Sequence, residues 1–286
     1  MAEKGAVVIS GASTGIGEAT ATRLATKGFR VFAGVRKDSD AEKLRSQSLP
    51  NLVPIKLDVT DRETIDAAYA EIRDAVGNAG IVGLFNNAGV SWGGPLEFED
   101  MAEIRELFDT NVFGVLEMTQ AFMPLVRRGH GRIICTGSIG GRVASPFVGI
   151  YSASKAAVQS LCQSLRLELR PWGIKVICIE PGSIATPIWE KGMDKFAAEI
   201  AKMPDQARDY YGPLVPKLQA LTEQQAKRAI PPSKVAAVVE HALTTAHPRP
   251  RYLVGNDAYA MSTLERIPDR ARDALMARVI GIPKQS

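Results

Sequence analysis

At 286 residues, 45% hydrophobic and 23% charged, the chain suits one large globular domain with a substantial core, and no Pro/Ser/Gly-rich linker divides it. The formal charge of +4 comes from Lys and Arg spread along the sequence, without a dense basic block or interleaved aromatics, which argues against nucleic acid as a partner. The start MAEKGAVVIS carries no signal peptide and no apolar run reaches the ~18 residues of a membrane span, so a cytoplasmic protein without a transmembrane segment is expected. Cys135, Cys162 and Cys178 are odd in number and lack CxxC pairing; they read as small buried thiols of a reducing compartment, and no metal site is assigned.

In chain order, short apolar runs at 6–10, 30–35, 52–59, 81–86, 132–136, 175–180 and 251–254 read as strands. Amphipathic stretches near 16–27, 61–76, 102–127, 152–170 and 233–245 read as helices between them. The strand cores are apolar on both faces (Val7-Val8-Ile9, Val176-Ile177-Cys178-Ile179), as they must be when helices cover both sides of a parallel sheet. The expected fold is α/β: a single-domain, doubly wound Rossmann sheet, mostly parallel, of about seven strands. Two stretches break the alternation. Residues 187–231 carry Trp189, Met193, Phe196, Met203, Tyr210, Tyr211 and Leu214 and leave the edge where such sheets bind ligands, so they read as a substrate lid. Residues 262–286 read as a C-terminal extension, basic and amphipathic over 262–283.

Directly after the first strand comes Ser10-Gly11-Ala12-Ser13-Thr14-Gly15-Ile16-Gly17, with a helical pattern following. Glycines there allow a tight turn and let backbone N–H groups approach a pyrophosphate at a helix N-terminus. The second strand ends Gly34-Val35-Arg36-Lys37, without the Asp or Glu that bonds a ribose 2′-OH. Arg36 offers a planar fork to a 2′-phosphate, so NADP(H) is the expected cofactor, with NAD(H) as the alternative.

Tyr151 and Lys155 stand four positions apart at the start of a predicted helix, hence on one face, and Ser138 closes the preceding strand thirteen residues before Tyr151. Reduction of a carbonyl needs an acid beside the oxygen; oxidation of the alcohol needs the same group as base. A free phenol titrates near ~10, and lowering it by ~3 units takes roughly 4 kcal/mol. One unit charge at ~4 Å supplies about that much at an effective dielectric near 20. Desolvation opposes the shift, so Lys155 is expected as the main lever on Tyr151 with a positive oxidised nicotinamide helping, while Ser138 would hydrogen-bond the substrate oxygen.

These motifs, with Asn86-Asn87-Ala88-Gly89, Asn111 in Asp-Thr-Asn-Val and Pro181-Gly182, closely resemble the short-chain dehydrogenase/reductase family over almost the whole chain. The resemblance implies catalytic roles for Ser138, Tyr151, Lys155 and Asn111, the last helping a water relay to Lys155, which also grips the nicotinamide ribose. For the cofactor it implies the loop residues Gly11, Ser13, Thr14, Gly15, Ile16 and Gly17, Asp58 and Val59 at the adenine, and Asn87, Ala88 and Gly89 along the adenosine side. Pro181, Gly182, Ile184 and Thr186 complete that set, with Ile184 and Thr186 at the carboxamide. Within the family, Val31-Phe32-Ala33-Gly34-Val35-Arg36, Ile179-Glu180-Pro181-Gly182, Arg251-Tyr252-Leu253-Val254-Gly255 and Ile267-Pro268-Asp269-Arg270 look like the hydroxysteroid and retinol dehydrogenase branch. The implied activity is hydride transfer between NADP(H) and a small-molecule, lipophilic alcohol/carbonyl substrate, steroid-, retinoid- or lipid-like. A 3-oxoacyl thioester ketoreductase and a non-catalytic NADP(H)-binding sensor or scaffold are the rival readings. Family members assemble on the helices corresponding to 102–127 and 152–170, where Ala156, Ala157, Leu161 and Leu165 offer an apolar face, so a homodimer or homotetramer is expected.

Overall fold

Runs of β-branched and apolar residues too short for helices take the pleated form, and with polar helices between them they can pair only in parallel. The computed structural model describes residues 4–188 and 204–282, and over these the runs build one sheet of seven parallel strands. They are β1 (Ala6–Ile9), β2 (Arg30–Val35), β3 (Leu52–Lys56), β4 (Gly83–Asn86), β5 (Arg132–Thr136), β6 (Lys175–Pro181) and β7 (Arg251–Val254), in the order β3-β2-β1-β4-β5-β6-β7. Because β1 pairs with β2 on one side and β4 on the other, the winding reverses between β1 and β4. The loops after those strands diverge there and open a crevice.

Alternation along each strand feeds two cores. Val8, Phe32, Leu84, Ile133 and Val176 point toward α3 (Arg62–Val76), α5 (Gly114–Arg128) and α6 (Gly149–Glu168). Val7, Ile9, Val31, Phe85, Ile134 and Ile177 point toward α1 (Gly15–Thr26), α2 (Asp38–Arg45) and the helix Pro232–Thr244. The expected doubly wound architecture is the observed one.

Several boundaries differ, each for a local reason. β3 stops at Lys56 because Asp58 turns the chain, its carboxylate accepting from both the amide and the hydroxyl of Thr60 at 3.0 and 2.8 Å. β4 begins at Gly83 because the Ile81 amide donates to the Leu125 carbonyl at the end of α5. The helix expected over 102–127 is divided: α4 (Met101–Phe108) runs into a π-helical turn, Asp109–Phe113, and then into α5. Helix α2 was not among the sequence expectations, since it buries just Ala41 and Leu44.

The 187–231 stretch contains the helices Asp205–Tyr211 and Val215–Arg228, and Ile230 pairs with Ile184 in an isolated bridge. Trp189, Met193, Phe196 and Met203 of the expected lid lie outside the described residues. The basic tail folds into the helices Asn256–Leu264 and Asp269–Ile280. Among the described residues no helix is long and apolar enough to cross a membrane.

Candidate active site

The loop after β1 folds back on itself because two of its glycines have neighbours where a side chain would stand. Gly15 has φ +60°, and a Cβ there would come within 2.9 Å of the Thr186 methyl. At Gly17 a Cβ would overlap the Gly11 carbonyl oxygen and crowd the Asn87 amide at 2.6 Å. Thr14 precedes α1 in extended conformation and makes no side-chain capping bond, leaving the first-turn N–H groups of that helix facing the crevice. Ser13, Thr14, Gly15 and Ile16 are partly exposed along this rim.

Asn87, Ala88 and Gly89 follow β4 and close the other wall. Ser10 Oγ accepts from the amides of Asn87 and Ala88 at 3.0 and 3.1 Å. Asn87 Nδ2 in turn donates to the carbonyls of Ser10 and Gly11 at 3.2 and 3.0 Å. The Asn87 side chain therefore splints the glycine loop to β4 by its own hydrogen bonds. At the tip of β2 the Arg36 guanidinium is 66% exposed and stands 3.9 Å from the Asp58 carboxylate, so its fork is open to solvent. Val59 is buried under α5. Beyond β6, Gly182 N–H donates to Val254 O at 2.9 Å, and the following turn brings Ile184 to its bridge with Ile230 and Thr186 to Gly15.

The remaining groups meet at the ends of β4 and β5. Lys155, on α6 and only 4% exposed, donates its Nζ to the Thr136 carbonyl at 3.0 Å. A Cβ on Gly89 would sit 3.3 Å from that Nζ and 3.2 Å from Asn111 Oδ1, so both side chains converge on one glycine. The π-helical turn carries Asn111 inward to complete burial. Its amide is fully committed: Oδ1 accepts from Val90 N–H at 2.8 Å, and Nδ2 donates to Val90 O at 2.9 Å and Ser154 Oγ at 3.0 Å. Ser154 then donates to the Tyr151 carbonyl at 2.7 Å.

Ser138 does not end β5, which stops at Thr136; it caps a 3₁₀ turn, Ile139–Gly141, with its Oγ accepting from Gly140 N–H at 3.0 Å. Its carbonyl accepts from Gln159 Nε2 at 2.7 Å. Tyr151 lies beside it, partly exposed at the mouth, with Lys155 Nζ 5.8 Å from the ring centroid.

Burial is the first influence on both ionisable groups here. Burial pushes the Tyr151 phenol above its ordinary value, with the Ser138 hydroxyl drawing it partway back. Burial also presses Lys155 down to about 8. Burial is the larger influence on the phenol, and the lysine beside it is itself poorly solvated and bonded to a backbone carbonyl. The expected lowering of Tyr151 needs Lys155 and an oxidised nicotinamide acting together against desolvation; the protein's own groups by themselves raise it.

Sequence reasoning missed the groups that hold these in place: Ser10, Ser154, Gln159 and Asp257, whose carboxylate accepts from Ser183 N–H at 2.6 Å. Ser154 and Gln159 share a helix with Tyr151, so their periodicity was a usable signal; Asp257 acts across 74 residues and had none. Tyr211 joins the helix Asp205–Tyr211 to two loops. Its ring meets Phe98 and Phe147 edge-on, at centroid distances of 6.1 and 5.7 Å, and its hydroxyl donates to Glu97 at 2.5 Å.

Comparison with known proteins agrees with this fold. The short chain dehydrogenase family model matches residues 5–195. The 17-beta-hydroxysteroid dehydrogenase type 6 of Bos taurus is 34% identical, over 98% of this chain and 90% of its own. Retinol dehydrogenase 16 of Mus musculus is 36% identical over 94% of this chain and 87% of its own. Among solved structures, a short chain dehydrogenase from Burkholderia cenocepacia in complex with NADP superposes with a TM-score of 0.73 at 29% identity, covering 97% of this chain and 98% of that one.

The crowding at Gly17 gives a direct test. Gly17→Ala forces Gly11 and Asn87 apart and should weaken NADPH binding by at least about tenfold, because the backbone can no longer make its close approach. Fluorescence titration measures the loss, and an unchanged far-UV spectrum separates it from unfolding.

Proposed function

The chain belongs to the short chain dehydrogenase family, and from that premise we propose that it is an NADP(H)-dependent oxidoreductase acting on a lipophilic alcohol/carbonyl pair. The observation that carries this reading is the meeting of Ser138, Tyr151, Lys155 and Asn111 around the ends of β4 and β5, beside the glycine loop. The cradle suits a dinucleotide: its walls leave room for backbone but not for a Cβ, and the first turn of α1 is uncapped. Gly11 to Gly17 would hold the diphosphate, Arg36 the 2′-phosphate, Asp58 and Val59 the adenine, and Asn87 to Gly89 the adenosine. Pro181, Gly182, Ile184 and Thr186 would flank the nicotinamide. Bound there, the nicotinamide supplies or accepts the hydride.

The chain's own residues manage the proton. Ser138 Oγ hydrogen-bonds the substrate oxygen and keeps it beside the phenol. Tyr151, its phenol pushed up by burial, donates to the carbonyl oxygen during reduction and recovers that proton in the reverse direction. Lys155 holds the ribose and stands behind the phenol as a cation that buried surroundings release readily. The side chain of Asn111 is spent on Val90 and Ser154, so its contribution to a water relay comes through its backbone in the widened turn.

A lipophilic substrate is supported by relatives named for steroid and retinol chemistry and by the aromatic ring contacts of Tyr211 on the substrate side. We take 187–231 as the substrate lid and the chain from 262 onward as a C-terminal extension of the same domain. Three free, buried thiols support a reducing compartment, the cytoplasm. A homo-oligomer built on α4, α5 and α6 is supported by Phe113 and Leu167, 53% and 63% exposed on adjoining elements.

A panel of steroid, retinoid and aliphatic alcohols and ketones, read by NADPH absorbance, tests the activity. On any compound turned over, Tyr151→Phe should cut kcat by about 10²–10⁴ while NADPH still binds. Because Lys155 loses its charge near 8 while the phenol stays protonated, kcat/KM for reduction should fall as pH rises through about 8. A profile flat to pH 9.5 would contradict the assignment. Arg36→Leu should weaken NADPH by about 10–100-fold, the worth of a charge-assisted phosphate bond, and leave NADH nearly unchanged. Light scattering at micromolar concentration should give a dimer or tetramer mass; a monomer would refute the assembly.

A further inference from the structure

Immediately behind Ser138 lies a cluster of charges that the hydride-transfer scheme does not use. Glu180, the penultimate residue of β6, is completely buried. Its carboxylate accepts from Arg142 Nε at 2.6 Å and has Arg251 Nε 3.7 Å away. Arg142 is the residue that ends the 3₁₀ turn capped by Ser138, and its own amide bonds back to Ile139 O at 3.0 Å. The second arm of its guanidinium, Nη1, reaches Glu265 at 3.1 Å, in the C-terminal extension. One planar fork therefore holds a buried carboxylate from the sheet and an exposed one from the extension, in two fixed directions.

We propose that Arg142 is a positioning residue for Ser138, clamping the Ser138–Gly141 turn to β6 through Glu180, with Glu265 setting the plane of the guanidinium. Among the described residues the turn has two side-chain holds: Gln159 grips the Ser138 carbonyl from α6, and Arg142 grips from the sheet edge, while Gly137 N–H donates to Ile179 O at 2.7 Å just before the turn. Releasing the second lets the turn pivot about the first, and the hydroxyl then misses the substrate oxygen. The inference rests on the reading of Ser138 as the partner of that oxygen. It also gives the C-terminal extension a task, because Glu265 lies 123 residues from Arg142 in sequence and meets it one turn from the reacting groups.

A merely structural ion pair makes a different forecast. Glu265 is 48% exposed, and an exposed partner contributes little to stability. Removing it should leave the melting temperature alone, yet free the guanidinium to rotate. Removing Arg142 alone strands a buried carboxylate, so its test needs the charge-balanced pair as well.

The experiment uses the full-length protein with NADPH and a carbonyl substrate found by the panel. Glu265→Gln should lower kcat by about threefold, and Arg142→Lys and the double variant Arg142→Met/Glu180→Gln by about tenfold or more, given how steeply misplacement costs rate. NADPH affinity should stay within about twofold in each, since the cofactor groups are untouched. In a Ser138→Ala background the same changes should have almost no further effect, because the group they position is gone. Equal fold-losses with and without Ser138, or melting-temperature losses at unchanged kcat, overturn the proposal. If the wild-type protein turns over nothing on the panel, the hydride-transfer reading fails and this one with it. Turnover by wild type that all three variants match removes this inference alone.

Discussion

An ammonium group withdrawn from water must find oxygen or give up its proton, and Lys155 finds the carbonyl of Thr136. That single bond fixes the site. It ties α6 to the last residue of β5, and because Tyr151 precedes Lys155 by four residues on the same helix, it also decides where the phenol stands. Ser138 follows Thr136 by two residues, so its turn starts from the same anchor. Asn111 joins the group through Ser154, on the helix between Tyr151 and Lys155. Four groups from three parts of the chain thus share one reference point, a carbonyl at the end of a central strand.

The same dryness that demands this bond sets the protonation of the site. Burial disfavours charge on both Tyr151 and Lys155, raising one and lowering the other. Burial thus favours the neutral form of both groups. The sequence held the residue types and their spacing, but solvation belongs to the folded environment and has no counterpart in four-residue spacing.

Much of the rest was legible because it depends on local chemistry. Val7-Val8-Ile9 and Ile177-Cys178-Ile179 announce strands covered on both faces, and both lie where expected, in the two cores. The glycine loop is visible because only glycine fits where Thr186 and the Gly11 carbonyl press in. The π-helical turn was invisible, since apolar periodicity runs through 102–127 without a break while hydrogen-bond spacing widens around Asn111. Helix α2 failed the periodicity test because Asp38–Arg45 rests on two apolar residues. Asp257 and the Arg142–Glu180 pair were out of reach for another reason: they join residues separated by tens of positions, and no single stretch records the meeting.

What holds the functional loops is consistent throughout. Ser10, Asn87, Asn111, Gln159 and Asp257 each spend a side chain on a backbone group of a strand-end loop. Loops that carry chemistry lack the ladder bonds of strands, and at the edge of a sheet their amides and carbonyls must be satisfied some other way. Buried polar side chains serve because leaving either partner unpaired is costly, so each bond resists breaking from both ends. The walls of the crevice are accordingly held by hydrogen bonds of the protein itself.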